Sequence, residues 1–234
     1  MEINIIEVFG WIAACLSIIL YFSPIQQYFK LCQGKIRFND TPNLKVIGNY
    51  VTGINWFIYS YLLKNIHIFV CYLAASFLSI ICIMTFLLFL AKVKLLKAFL
   101  FALILLVYTV LMFLLLALLI KNINVIGYIC VAFSFLPLGY PIMLIKKVIK
   151  FRNYKYIPIR LCVINLIVTT CWIIYGFMII NYHIIIPNFI GMVFTLILLF
   201  IWNIFKKRKP IMDEVADFSI NNSKNRPETA VSVV

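Results

Sequence analysis

Trp56 and Trp172 are the residues best placed to do chemistry, because each is followed at the same spacing by a tyrosine and an Asn-x-His pair. The tyrosines are Tyr59 and Tyr175, and the pairs are Asn65 with His67 and Asn181 with His183. An indole face can stack on the C–H face of a sugar ring, while neutral amides satisfy its hydroxyls. Asn165 and Asn188 supply such amides close to Trp172 in the chain. This is binding chemistry. No catalytic triad, phosphate loop or metal-ligand cluster accompanies it, so neither an enzyme nor a metal or cofactor is expected. The seven acidic residues (Glu2, Glu7, Asp40, Asp213, Glu214, Asp217 and Glu228) all lie away from the middles of the apolar runs. Proton relays and charged pores place ionisable groups there. His67 and His183 fall at the edges of runs, where a histidine needs no special role. The path they flank is therefore expected to be neutral and to suit an uncharged solute.

The elements that hold these residues must lie in lipid. Of the 234 residues 65% are hydrophobic and the mean hydropathy is +1.07, well above the roughly 45–50% of soluble domains. The runs are long enough to cross a hydrocarbon core of about 30 Å as helices. They predict seven spans near 5–29, 44–63, 67–91, 96–120, 123–147, 159–180 and 184–205, the first retained as a span rather than cleaved. The net charge of +14 recurs at the ends of runs instead of forming one stripe, which argues against nucleic acid. Of the 21 Lys and Arg residues, only Lys64 and Lys121 fall on the side opposite the others. The rich side is cytosolic by the positive-inside rule, so the N-terminus is expected outside or lumenal and the C-terminus cytosolic. The seven cysteines have no ligand spacing and are expected to stay reduced as packing residues.

The chain also matches itself. Gly10 and Pro24 correspond to Gly127 and Pro141 at one offset; Pro42, Asn49, Trp56, Tyr59, Asn65 and His67 correspond to Pro158, Asn165, Trp172, Tyr175, Asn181 and His183 at an offset one residue shorter. The change of offset falls in the basic loop after the first span, where an insertion is cheapest. Two three-helix repeats result, residues 1–94 and 123–206, joined by a linker helix in 95–122 and followed by a polar tail, 207–234, expected to be disordered. The linker restores direction, so the repeats run parallel, an arrangement that places a solute site between them near the midplane. Pro24, Pro42, Pro141 and Pro158 lie toward the basic side, Pro24 and Pro141 inside helices and Pro42 and Pro158 at helix starts. They are expected to act as hinges.

These features resemble the SWEET sugar transporters: the 3+1+3 arrangement, Phe22-Ser23-Pro24 and Gly139-Tyr140-Pro141, the two Trp-x-x-Tyr motifs, and Ile186-Pro187-Asn188-Phe189-Ile190-Gly191. The resemblance covers about residues 5–206. It implies a facilitative, bidirectional uniporter of sugars working by alternating access in a plasma membrane or endomembrane, often as a homo-oligomer. It implies a four-proline hinge, carried by Pro24, Pro42, Pro141 and Pro158, and a pocket formed by Asn188 and Trp172. The first half departs from the family pattern, with Tyr72 where a second Asn is common and Trp56 where a small residue is frequent. Those bulky side chains would narrow the pocket and favour a monosaccharide such as glucose. The rival expectations are a PQ-loop carrier of another solute, which Pro24-Ile25-Gln26 and Pro141-Ile142-Met143 fit poorly, and a seven-helix receptor, which would lack the repeat. Lys206-Lys207-Arg208-Lys209 reads as an anchor for anionic lipid, and the terminal Ser232-Val233-Val234 is only a weak PDZ-type signal.

Overall fold

The structure is a computed structural model that describes residues 5–35, 38, 43–119 and 122–207. Pro42 and the tail from 208 onward lie outside the described residues. The described residues form seven α-helices: α1 Ile5–Cys32, α2 Asn43–Leu63, α3 Ile66–Leu119, α4 Ile123–Phe133, α5 Gly139–Phe151, α6 Ile159–Met178 and α7 Tyr182–Phe205, with a 3₁₀ turn at Tyr154–Tyr156. One span differs from expectation. The third and fourth follow each other across a kink and are numbered together as α3, 54 residues in all. A straight helix of that length would measure about 81 Å, far more than one crossing needs. Lys94, at φ −147° and ψ 78°, breaks the run into limbs 66–93 and 95–119. The basic connection foreseen between those spans is thus reduced to one non-helical residue flanked by Lys92 and Lys97.

The fifth span is not one helix. It stops at Phe133, passes through turns, and resumes as α5 at Gly139. Bonds three residues apart, from Phe135 to Ala132, Leu138 to Phe135 and Gly139 to Leu136, carry the backbone through the gap. Pro137 causes the interruption: it has no N–H to donate and disfavours helical geometry in the residue before it. Pro141 was expected inside a continuous helix. It stands instead in the first turn of α5, where a missing donor costs nothing.

Among the described residues, four stretches are long and apolar enough to cross a membrane unaided: Ile5–Cys32, Ile66–Leu115, Ile159–Met178 and Tyr182–Phe205. α2 falls short because it carries Lys45, Asn49, Thr52 and Asn55, and it is the most enclosed helix, with twelve buried residues. α1 and α2 pack on α3, and α6 packs on α7. Across the halves, α1 meets α6 and α2 meets α4. Exchanging the repeats turns one of these contacts into the other, as a parallel duplication requires. Glycine permits two of the close approaches. A Cβ on Gly48 would come within 2.8 Å of the Pro137 nitrogen, and one on Gly127 within 2.6 Å of the His183 ring. The outer faces are apolar, with Phe77, Leu88, Leu103 and Phe200 exposed, as suits a protein whose solvent is lipid.

Candidate functional site

The repeated residues meet across the halves instead of within them. Trp56 Nε1 donates to Ser134 Oγ at 2.8 Å, and Trp172 Nε1 donates to Ser17 Oγ at 2.9 Å. Each serine in turn donates to a carbonyl one helical turn earlier, Cys130 O and Ala13 O, both at 2.7 Å. Ser17 and Ser134 are themselves repeat partners. The two bonds are one bond made twice, each tying the second helix of one half to the first helix of the other.

A second pair of crossed contacts lies beyond the tryptophans, toward the end opposite the basic loops. Asn65 Nδ2 donates to the Tyr175 hydroxyl at 2.6 Å, and His67 Nδ1 lies 3.2 Å from the same oxygen. Asn181 Nδ2 donates to the Tyr59 hydroxyl at 2.8 Å, with His183 Nδ1 at 3.4 Å. Tyr59, Tyr175, His67 and Asn181 are all buried. These two clasps hold the halves shut at that end. They differ in completeness: His67 Nε2 meets Glu7 Oε2 at 3.0 Å, and Asn65 Oδ1 accepts from the Ile68 N–H at 3.1 Å. In the second clasp Asn181 Oδ1 and His183 Nε2 are buried without a partner among the described residues.

On the basic-loop side of the Trp172–Ser17 bond the halves separate around a cavity of about 250 Å³. Trp172, Asn188 and Tyr72 line it, as do Pro24, Pro141 and Pro158. Trp172 is 5% exposed, so the wall is formed by an otherwise enclosed ring. Asn188 Nδ2 donates to Ile184 O at 2.8 Å in its own helix, which fixes the amide and leaves it further bonding capacity. Asn165, also on the wall, donates to Thr195 Oγ1 at 2.7 Å. Trp56 is not a lining residue. It stands behind the wall, stacked on Tyr72 with ring centroids 5.4 Å apart and planes at 12°, so its part is to hold Tyr72 in the cavity. No carboxylate lines the cavity among the described residues, and Lys45 is its one cationic side chain there. The arrangement offers aromatic surface, amides and hydroxyls to a small solute; it holds no group suited to breaking a covalent bond.

Sequence reasoning brought Trp172, Asn188 and Tyr72 to one place. It missed the serines, the clasps and Lys45. The clasp residues were visible as repeats, but a repeat does not say which half a side chain bonds to. Lys45 falls inside the second expected span, and the structure puts it in the first turn of α2, on the cavity wall.

A family described as "Sugar efflux transporter for intercellular exchange" matches twice, over residues 7–94 and 124–210. The chain is 24% identical to the bidirectional sugar transporter NEC1 of Petunia hybrida, over 90% of this chain and 80% of that one. It is 25% identical to the bidirectional sugar transporter SWEET14 of Arabidopsis thaliana, over 94% and 84% respectively. A shorter stretch, 32% of this chain and 25% of the other, is 34% identical to the sugar transporter SWEET1 of Caenorhabditis elegans. In fold it is similar to a eukaryotic SWEET transporter solved at 3.7 Å, with a TM-score of 0.69 at 12% identity, covering 88% of this chain and all of that one. With the duplicated three-helix unit, the linker limb and the interior cavity in view, the twofold family match places this integral membrane chain in the SWEET family of sugar transporters.

Proposed function

We propose that this protein is a facilitative, bidirectional uniporter that carries a monosaccharide such as glucose by alternating access. The observation that carries this reading is the cavity between the halves, walled by Trp172, Tyr72 and Asn188 and free of carboxylates among the described residues. A pyranose stacks its C–H face on the indole while its hydroxyls take up the amides and hydroxyls of the wall. At about 250 Å³ the space lies just below the usual range of ligand cavities, roughly 300–1,000 Å³, which favours one ring over two. Tyr72, braced by Trp56, takes up room that a second ring would need.

In this reading the structure is the form open to the basic-loop side, with the clasps closed at the other end. Opening the far side requires the clasps to part and the basic ends to close about Pro24, Pro141 and Pro158, with Pro42 as the fourth hinge. The basic side faces the cytosol, the N-terminus faces outward or into a lumen, and copies assemble as homo-oligomers. Counterflow of radiolabelled glucose and sucrose into proteoliposomes tests the proposal. Glucose exchange should exceed sucrose exchange, and Trp172→Ala and Asn188→Ala should each insert normally but lose roughly tenfold or more in exchange. Unaltered exchange in both variants would remove the site, and faster sucrose than glucose would remove the monosaccharide assignment.

A further inference from the structure

The wall is least symmetric at its basic-loop end. Lys45 and Leu161 are repeat partners, as are Ser23 and Tyr140, and all four line the cavity. The duplication therefore did not require a charge or an aromatic ring at these places, yet one of each has been set side by side. Lys45 Nζ stands 5.6 Å from the centre of the Tyr140 ring, within the range of a cation–π contact. Both side chains are half-buried. Lys45 also sits in the first turn of α2, where the helix dipole adds to the local positive potential instead of offsetting it. No carboxylate of the described residues lines the cavity to neutralise it. The nearest repeat position to Lys45 on α6 is about eleven residues before Trp172, or roughly 16 Å of helix. The Lys45–Tyr140 pair thus marks a place at the mouth, separate from the Trp172–Asn188 level.

We infer that Lys45 and Tyr140 form an entrance subsite for an acidic monosaccharide, a hexuronate, whose carboxylate meets the ammonium while its ring lies on the tyrosine. A charged hydrogen bond in a partly enclosed mouth discriminates by about tenfold to a hundredfold against the neutral sugar. Clefts lined by one sign of charge also raise the local concentration of opposite ions. The subsite deepens the sugar-carrier reading and rests on it for the word entrance, but the binding itself does not.

The test compares glucuronate, galactose and sulfate as inhibitors of glucose counterflow in proteoliposomes of the full chain, for wild type, Lys45→Leu, Lys45→Arg and Tyr140→Ser. The reading is the ratio of half-inhibiting concentrations, glucuronate to galactose, within each variant. In the wild type glucuronate should be about ten times the more potent. Lys45→Leu, which copies Leu161, should bring the ratio to about one, and Lys45→Arg should preserve it. Tyr140→Ser, which copies Ser23, should weaken glucuronate and leave sulfate unchanged. A ratio unmoved by Lys45→Leu, or sulfate as potent as glucuronate, overturns the subsite. Should the protein exchange no sugar at all, the carrier reading fails, and thermal stabilisation of the purified protein by glucuronate still decides the subsite. Stabilisation lost in Lys45→Leu upholds it, and stabilisation equal in both, or absent in the wild type, refutes it.

Discussion

Leu20 and Cys71 of the first half stand where the second half has Pro137 and Pro187, and the backbones differ accordingly. α1 runs unbroken for 28 residues; its counterpart is divided into α4 and α5. Beyond Pro187 the second half offers Asn188 to the cavity, while the first half fills the same place with Tyr72 stacked on Trp56. The clasps diverge in the opposite sense. The first-half pair, Asn65 and His67, is fully bonded through Ile68 and Glu7, and the second-half pair leaves two buried polar atoms without partners among the described residues. Each clasp joins both halves, so the duplication has left one interface with two unequal latches.

Substitutions can break or sharpen that comparison. The largest expected effect follows Tyr175→Phe, which strips the hydroxyl shared by Asn65 and His67. Enclosed polar groups left unpaired cost about 1–3 kcal/mol each, so the thermal midpoint of the purified protein should fall by roughly 5 °C or more. Tyr59→Phe should cost less, because its clasp is already incomplete; an equal loss in both would mean the clasps are equivalent after all. Next comes Tyr72→Asn, which gives the first half the residue type of the second. The ratio of sucrose to glucose exchange should rise about tenfold, and an unchanged ratio would show that Tyr72 does not limit the cavity.

A smaller effect is expected from Asn124→Glu, which places at the repeat position of Glu7 a carboxylate for His183. An added ion pair is worth at most about 1 kcal/mol, enough to raise the midpoint by some 2 °C and slow exchange roughly threefold. Faster exchange would show that closure of this clasp does not limit the cycle. Smallest of all, Ile180→Gly removes a β-branched residue from a left-handed turn at φ 50°. The repeat position, Lys64, adopts φ 54°, so the turn is required twice, and glycine should relieve about 1 kcal/mol of strain. A rise of a degree or two in midpoint would register it, whereas a fall would place Ile180 in a packing role.

How much of this was legible in the chain varies by residue. Trp56, Trp172 and the Asn-x-His pairs announced two halves, because rare residues at fixed spacing survive any reading of hydropathy. Trp172 and Asn188 stood out as an aromatic and a neutral amide in apolar runs, whereas Tyr72 was reached only through the family resemblance; all three line the cavity. The break at 134–138 was hidden, since Phe135, Leu136 and Leu138 keep the run apolar while Pro137 and Gly139 interrupt its backbone. The tightness of the kink at Lys94 was hidden too, because charge marks where a chain leaves lipid but not how few residues the turn takes. Crossed bonding was out of reach: Trp56 and Ser134 are 78 positions apart, and spacing along one chain carries no information about partners across a pseudo-axis.

The crossed bonds bear on how such a protein is made. Trp56, Tyr59, Asn65 and His67 are threaded into the bilayer well before Ser134, Tyr175, Asn181 and His183 leave the ribosome. Until then their polar atoms have few internal partners in a solvent that supplies none. The early half must therefore wait, loosely assembled, for the late half to dock. A nascent chain arrested before α4 should accordingly be far more open to protease or chaperone than its hydrophobicity alone would suggest.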